Sequence, residues 1–402
     1  MPGPLDGVRV IDVTSMVSGP LATMMLADQG ADVIKIESPA GDHSRQVATR
    51  RNGFSASFLN NNRNKRSVIL DLKKPGAVDA LKRLAAGADV FVQNFRPGVA
   101  DRMGIGEPAI RSVSPRIIYT SICGFGFEGP FSGKPVFDPL IQALSSLTTV
   151  QAGSDDRRPR LVRTILPDKL SAIQASQAIC AALFARERTG EGQHVRLSML
   201  DTVVFFLWSS DMGGHTFVGD EIETETAQSF IDLVYETADG FVSIAVMQDK
   251  EWRALAAAVE RPDFLEDERF ATAELRDVNK DARTLLTQEA VRPFTTEELL
   301  RRLEEHDVPC APVLTRREMI RHPQVVANGV VVETDHPRAG RLRQARQPAT
   351  FSATPAAIRS GAPGHGTDTR NVLSEYGFSG EEIASLEASG AAIDRSGDPA
   401  SD

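Results

Sequence analysis

Cysteine is scarce in this sequence. Cys123, Cys180 and Cys310 are the only three in 402 residues, and they stand far apart in apolar surroundings. That spacing excludes a disulfide framework and a clustered structural zinc site, and it fits a reducing cytoplasm. No apolar run approaches the roughly eighteen residues that a membrane-spanning helix needs, so no membrane partner is expected. The opening MPGPLDGVRVIDVT lacks the basic n-region and apolar h-region of a secretory signal, and none is expected. Basic charge is not in excess either: the net charge of −9 argues against general nucleic-acid binding. It also means that a polyanionic ligand needs a local basic patch, since the protein as a whole repels it. Internal repeats and low-complexity tracts are absent. What remains, 41% apolar residues with both charge signs interspersed, describes a globular chain long enough for two domains.

Strand and helix patterns alternate from the start. Residues 8–13 read as a strand, Ser18-Gly19-Pro20 as a turn, 21–29 as a helix and 31–37 as a second strand. This βαβ opening predicts a parallel sheet covered by helices. The turn lacks GxGxxG, which disfavours a nicotinamide-linked dehydrogenase. Block 60–73, NNNRNKRSVILDLK, sets four cations (Arg63, Lys65, Arg66, Lys73) around a strand at 67–72, and alone it reads as a solvated charged loop. A helix at 76–86 and a strand at 89–93 follow, then Asn94-Phe95-Arg96-Pro97-Gly98 and a helix through Met103. Loops after strand C-termini are where α/β sheets collect ligands. Here Asn94 offers an amide, Phe95 a stacking face and Arg102 a fixed cation for phosphate. A β-rich run at 116–122 comes next, and Val136-Phe137-Asp138 leads into a helix near 140–147.

The densest signal lies in 161–201, LVRTILPDKLSAIQASQAICAALFARERTGEGQHVRLSMLD. Thr164-Ile165-Leu166 ends at Pro167, Asp168 follows, and a helix is predicted from Leu170. Leu170, Ile173, Gln177, Cys180 and Phe184 recur at spacings of three and four. The other positions are small (Ala172, Ala175, Ser176, Ala178, Ala181, Ala182), which predicts close backbone neighbours in a crowded centre. Arg186 and Arg188 in the last turn and Gly190 beyond it stop the helix, and a strand at 195–199 follows. Asp168 is thus placed at or just before a helix start, where Asp168 or Ser171 serves equally well as an ordinary cap. Beyond Asp201, VVFFLWSSDM reads as a second buried helix, with Phe205, Phe206 and Trp208 in core packing. A polar, acidic linker follows at 213–226. Residues 227–322 read as a smaller α+β domain: a hairpin over 233–246 turned by Asp239-Gly240, then helices at 250–259, 276–291 and 297–305. Strands are expected at 330–334 and 348–351, separated by a basic loop, and residues 396–402 are expected to be disordered.

Four blocks, 5–45, 60–73, 92–106 and 161–201, resemble the family III coenzyme A transferases, a group that also contains α-methylacyl-CoA racemases. The resembling residues are TSMVSGP with KIESPAGDHSR, NRNKRS with LDLK, NFRPG, and PDKLSAIQASQAICAALFARERTGEGQ. The tail GHGTDTRNVLSEYG is similar to the family's C-terminal pattern. The resemblance implies an α/β fold with a Rossmann-like large domain, an inserted smaller α+β domain and an interlocked homodimer. On that division, 1–212 and 323–402 form the large domain, 213–226 the linker and 227–322 the small one. It implies that Asp168 is the covalent nucleophile. It further implies CoA contacts from Val17, Ser18, Leu70, Lys73, Asn94, Phe95, Arg96, Arg102, Met103 and Phe137. Acyl-CoA and a carboxylic acid are then substrates, with no metal and no tightly bound cofactor.

Two other activities fit the same resemblance: a 2-methylacyl-CoA racemase and a non-catalytic CoA-binding protein. Inversion at carbon needs an acid–base group on each face. Family racemases set a histidine where this chain has Phe137, so racemisation is not expected. Oxalate is disfavoured as well, because members using oxalate and formate carry a glycine-rich loop where this chain has only Gly213-Gly214. A glutamine and an arginine found in some members are replaced here by Val17 and Ser38.

Overall fold

The computed structural model describes residues 2–47, 49–225 and 233–397. Two compact units result: residues 1–152, 157–222 and 329–402 form the first, and 153–156 with 223–328 form the second. The polar linker read at 213–226 and the small-domain start at 227 run into residues outside those described, as does the tail from 398.

The first unit is built on six parallel strands, β1 (Arg9–Asp12), β2 (Asp32–Glu37), β3 (Lys65–Leu70), β4 (Val90–Gln93), β5 (Ile118–Cys123) and β6 (His194–Ser198). Their spatial order is β3-β2-β1-β4-β5-β6. This is a doubly wound order, and it reverses between β1 and β4. A two-residue strand, Ala392–Ile393, adds antiparallel outside β3, with Ala392 opposite Leu70. Helices α1 (Ser18–Asp28), α2 (Ala77–Ala86), α3 (Glu107–Val113), α4 (Asp138–Leu144), α5 (Leu166–Thr189) and α6 (Met199–Trp208) connect and follow the strands. Because neighbouring strand residues point to opposite faces, both faces of a covered parallel sheet must be apolar. Val10, Val33, Val90, Val92 and Ile118 meet α1 and α5 on one side. Ile11, Ile34, Val68, Phe91 and Tyr119 meet α2, α3 and the C-terminal residues Val372, Leu373 and Ile383 on the other.

Several expectations change. Helix α5 begins at Leu166, not Leu170, with Pro167 inside its first turn. A first-turn proline sacrifices no hydrogen bond, since those N–H groups have no partner within the helix. The buried stripe of α5 is Ala172, Ala175, Ile179 and Ala182, whereas Ile173 and Phe184 are 54% and 65% exposed. Small residues won that face because α1 packs closely there through Ala22, Leu26 and Ala27. Helix α6 is not wholly buried either. Met199, Val203 and Leu207 pack against Ile141 and Leu147, while Phe205, Phe206 and Trp208 face out. Nor is block 60–73 a solvated loop. Arg63 pairs with Asp28 at 2.6 Å and Lys65 with Asp12 at 2.9 Å, all four side chains buried, while Lys73 stays exposed.

The basic stretch expected as a loop near 341–345 is a strand. β10 (Val331–His336) and β11 (Gly340–Ala345) form a hairpin, and 348–351 is not extended ladder. Glu333 on β10 pairs with Arg341 and Arg343 on β11, which satisfies the charges that read as a loop.

In the second unit, β7 (Val234–Glu236) and β8 (Phe241–Ile244) form the predicted hairpin, and β9 (Cys310–Pro312) pairs antiparallel with β8. Trp252, Phe264, Phe270, Val291, Leu299 and Leu303 fill its core. The helix expected at 276–291 breaks at Asn279 into Ala273–Val278 and Lys280–Val291. Arg276 is buried at that break and pairs with Asp249 at 2.5 Å.

Candidate active site

The site begins at the C-terminal end of β1, where the order of the sheet reverses. Asp12 ends β1 fully buried. Its carboxylate accepts from the Thr14 N–H and hydroxyl, from Thr23 Oγ1 at 2.7 Å and from Lys65 Nζ at 2.9 Å. Burial pushes Asp12 up, but Lys65, Lys35 and Thr14 outweigh it and hold its pKa at about 2. The same burial drives Lys65 down to about 8 against the pull of Asp12. Lys65 is nevertheless fully bonded, its other two donors reaching the Pro20 carbonyl and Asn62 Oδ1, each at 2.9 Å.

This polar core shapes the turn from Thr14 to Ser18 that starts α1. Gly19 lies against Thr14 so tightly that a β-carbon would stand 2.3 Å from that side chain, so only glycine fits. Ser18, the first residue of α1, is 5% exposed. Its main chain and hydroxyl act on the carboxylate of Asp168 and lower its pKa.

Asp168 is the third residue of α5 and half-buried, so it sits inside the first turn rather than before it. Its own N–H donates to Asp138 Oδ2 at 3.2 Å. Asp138 opens α4, is buried, and receives Gln142 Nε2 on its other oxygen at 2.6 Å. Gln142 in turn accepts the Val162 N–H at 2.9 Å, tying the segment before α5 to α4. Burial raises Asp168 most, the neighbouring Asp138 charge raises it further, and Ser18 pulls it back, leaving its pKa at about 6. Asp138 is raised too, by burial, against the donors from Gln142 and Asp168. Burial thus raises both carboxyls, and the Asp138 charge raises Asp168 further.

The expected CoA contacts occupy the same edge of the sheet. Val17 caps α1 at 9% exposure. Asn94 accepts the Ser15 N–H at 3.0 Å and donates to the Ser15 carbonyl at 2.8 Å, locking the loop after β4 to the loop after β1. Phe95 and Met103 pack against the core beneath. Leu70 ends β3 at 1% exposure with Ala392 paired opposite it, so this expected contact is buried within the sheet. Lys73, Arg96 and Arg102 are exposed cations. Phe137, 68% exposed, caps α4 directly before Asp138. Sequence reading missed the contacts of Asp138 and Gln142 with α5. The signal available was the Asp-Pro pair at 138–139, a helix start two residues earlier than expected.

A cavity of about 410 Å³ lies elsewhere on this unit, lined by Gln93, Arg96, Ser121, Phe127, His194 and Arg196 among others. Gln93 donates to Ser121 at 2.8 Å and Ser121 bonds His194 at 2.9 Å. Of the expected contacts it includes Arg96 alone, and Asp168 is not among its walls.

A doubly wound sheet with two neighbouring carboxyls, Asp138 and Asp168, at helix starts beside its reversal point defines an α/β protein with a candidate site at that edge. The chain belongs to CoA-transferase family III, whose family model matches residues 5–369, and it is a CoA-transferase. It is 33% identical over 383 residues to the succinate–glutarate CoA-transferase of Agrobacterium fabrum, covering 92% of this chain and 95% of that one. It is 32% identical over 408 residues to a formyl-CoA:oxalate CoA-transferase of Streptomyces avermitilis, covering 96% and 98%. The crystal structure of a CaiB/BaiF family protein from Brucella suis superposes with a TM-score of 0.82 at 29% identity, covering 94% of this chain and all of that one. Among the described residues no helix is long and apolar enough to cross a membrane.

Proposed function

We propose that this enzyme moves CoA from an acyl-CoA donor to a carboxylic acid acceptor with Asp168 as the covalent nucleophile. The observation that carries this reading is the Asp168 carboxyl itself, half-buried on the first turn of α5 with a pKa raised to about 6. Such a group is about nine-tenths ionised at pH 7 yet poorly solvated, which suits attack on a carbonyl.

An Asp168 oxygen attacks the donor thioester carbonyl, the C–S bond breaks, and CoA leaves as thiolate. The product is a mixed anhydride between donor acid and aspartate. The thiolate then attacks the aspartyl carbonyl, the anhydride C–O bond breaks, and the donor acid departs as carboxylate. Asp168 is now a CoA thioester. An acceptor carboxylate displaces the thiolate to form a second anhydride, and thiolate attack on its acceptor carbonyl releases the new acyl-CoA and restores Asp168. Each step exchanges one anion for another, so the cycle balances without a net proton or electron. The positive end of α5 and the donors of Ser18 stabilise the oxyanions, a contribution often worth about 3 kcal/mol per donor.

The named relatives handle short dicarboxylic acids, and this chain has only Gly213-Gly214 where oxalate-using members carry a glycine-rich loop. We therefore assign it a dicarboxylate longer than oxalate, with succinate and glutarate the first to test. Phe137 supplies no second base, so isomerisation is not assigned. The exposed apolar residues Phe184, Phe205, Trp208 and Phe217 are assigned to contact with a second copy, as in the family's dimers.

The test is mass spectrometry of thioesters formed from a panel of acyl-CoAs and free acids. Asp168→Asn and Asp168→Ala are expected to lose transfer by at least about a thousandfold while still binding CoA. Hydroxylamine trapping of donor-charged enzyme is expected to mark Asp168 alone. Full activity in Asp168→Asn would overturn the mechanism.

A further inference from the structure

We propose that Asp42 is a positioning residue that locks the 14–18 turn in the conformation aiming Ser18 at Asp168. The inference rests on the reading of Asp168 as nucleophile. Met16 sits in this turn with φ of +71°, a left-handed conformation that a long side chain rarely adopts. Something must hold it there. The Met16 N–H donates to Asp42 Oδ1 at 3.1 Å, and the Thr14 carbonyl accepts from Lys35 Nζ at 2.9 Å. Lys35 and Asp42 are themselves paired at 2.9 Å with 0% and 1% of their side chains exposed. One buried ion pair thus grips the main chain on both sides of Ser15, and Asn94 grips Ser15 itself. Three successive residues are held by side chains from three other segments, and Val17 and Ser18 follow at once.

Burying an ion pair is costly, and a well-packed apolar pair of similar volume often serves stability as well. Here both partners bond the main chain of one turn, which is the arrangement of a device for specificity. The surroundings of Asp42 reinforce it. Its Oδ1 also accepts the Ser44 N–H at 2.8 Å, and its own N–H donates to Glu37 at 3.0 Å. Glu37 is held by Arg45 at 2.7 Å and by the Ser67 hydroxyl at 2.7 Å. Around Asp168 the charged neighbours are Asp138 from α4 and Lys169, the next residue on α5, whose charge acts on Asp138. Among the described residues Ser18 is what favours the ionised Asp168 side chain, and releasing the turn withdraws it.

The experiment compares pH profiles of kcat/KM for wild type, Asp42→Ala, Asp42→Asn, Ser18→Ala and the double variant Ser18→Ala/Asp42→Ala. Asp42→Ala is expected to move the acid limb up by about one pH unit, with a roughly fivefold loss at pH 6 that is largely recovered at pH 8. Asp42→Asn keeps an oxygen for the Met16 N–H and is expected to move the limb less. Ser18→Ala shifts it in the same direction, and the double variant shifts it by less than the sum of the two. A wild-type limb in Asp42→Ala, or full additivity, overturns the proposal even where thermal stability falls. If Asp42→Ala does not fold, Asp42→Asn with Ser18→Ala and their double variant carry the same comparison. Trapping separates the two readings. Wild type that forms no adduct at Asp168 refutes the nucleophile, whereas an adduct with an unshifted limb refutes only the clamp.

Discussion

A single aspartate acquires its chemistry here from what stands within a few ångströms of it. Asp138 accepts the Asp168 N–H and, as a second carboxyl nearby, resists its ionisation. Asp138→Asn keeps an oxygen for that N–H and removes the charge. The folded pKa of Asp168 is then expected to fall, and the acid limb of kcat/KM to move down by up to about one unit. A limb that stays near pH 6 would show that burial alone sets the acidity. None of this was legible in the sequence. Asp168 stood out there only through the family motif, because by position it was an ordinary cap. Asp138 lies 30 residues away and Ser18 a further 120, so no local pattern joins the three. Arg63 and Lys65 were misjudged for the same reason, since their partners Asp28 and Asp12 belong to other elements.

At the scale of elements, the six parallel strands were legible to within two residues, because buried parallel strands are continuous apolar runs. Helix faces were not. Periodicity of large apolar residues selected Ile173 and Phe184 on α5, and the fold buried the alanines opposite α1. The larger side chains were left outward, and α6 repeats the pattern with Phe205 at 75% exposure and Trp208 at 50%. If a second copy covers this face, Phe205→Glu is expected to shift sedimentation-velocity profiles from dimer to monomer at micromolar concentration. A dimer of unchanged affinity would place the interface elsewhere. Basic composition also misled at β11, where Glu333 across the hairpin turns Arg341 and Arg343 into strand residues.

Across the whole molecule, the polar core beneath the sheet edge ties stability to acid. Asp12, Glu37 and Asp42 are all held below the ordinary carboxylate range by buried cations. A carboxylate whose folded pKa is depressed contributes stability that is fully present above its unfolded value and is lost as pH falls through the folded one. For Asp12 that window runs from about pH 4 to about 2 and holds about 2–3 kcal/mol. Urea midpoints are expected to drop steeply across it, and less so in Asp12→Asn relative to its own neutral-pH value; parallel curves for the two proteins would remove Asp12 from the account. The antiparallel strand Ala392–Ile393 sets a different limit, one of time. Val372, Leu373, Ile383 and Ala392 complete the core over β2 and β3, strands made more than 300 residues earlier. During synthesis α2 and α3 soon cover part of this apolar face, but the part over β2 and β3 that the C-terminal residues fill stays uncovered until nearly the whole chain has been translated. At about 5–20 residues per second that wait is tens of seconds, long enough for a chaperone to take hold.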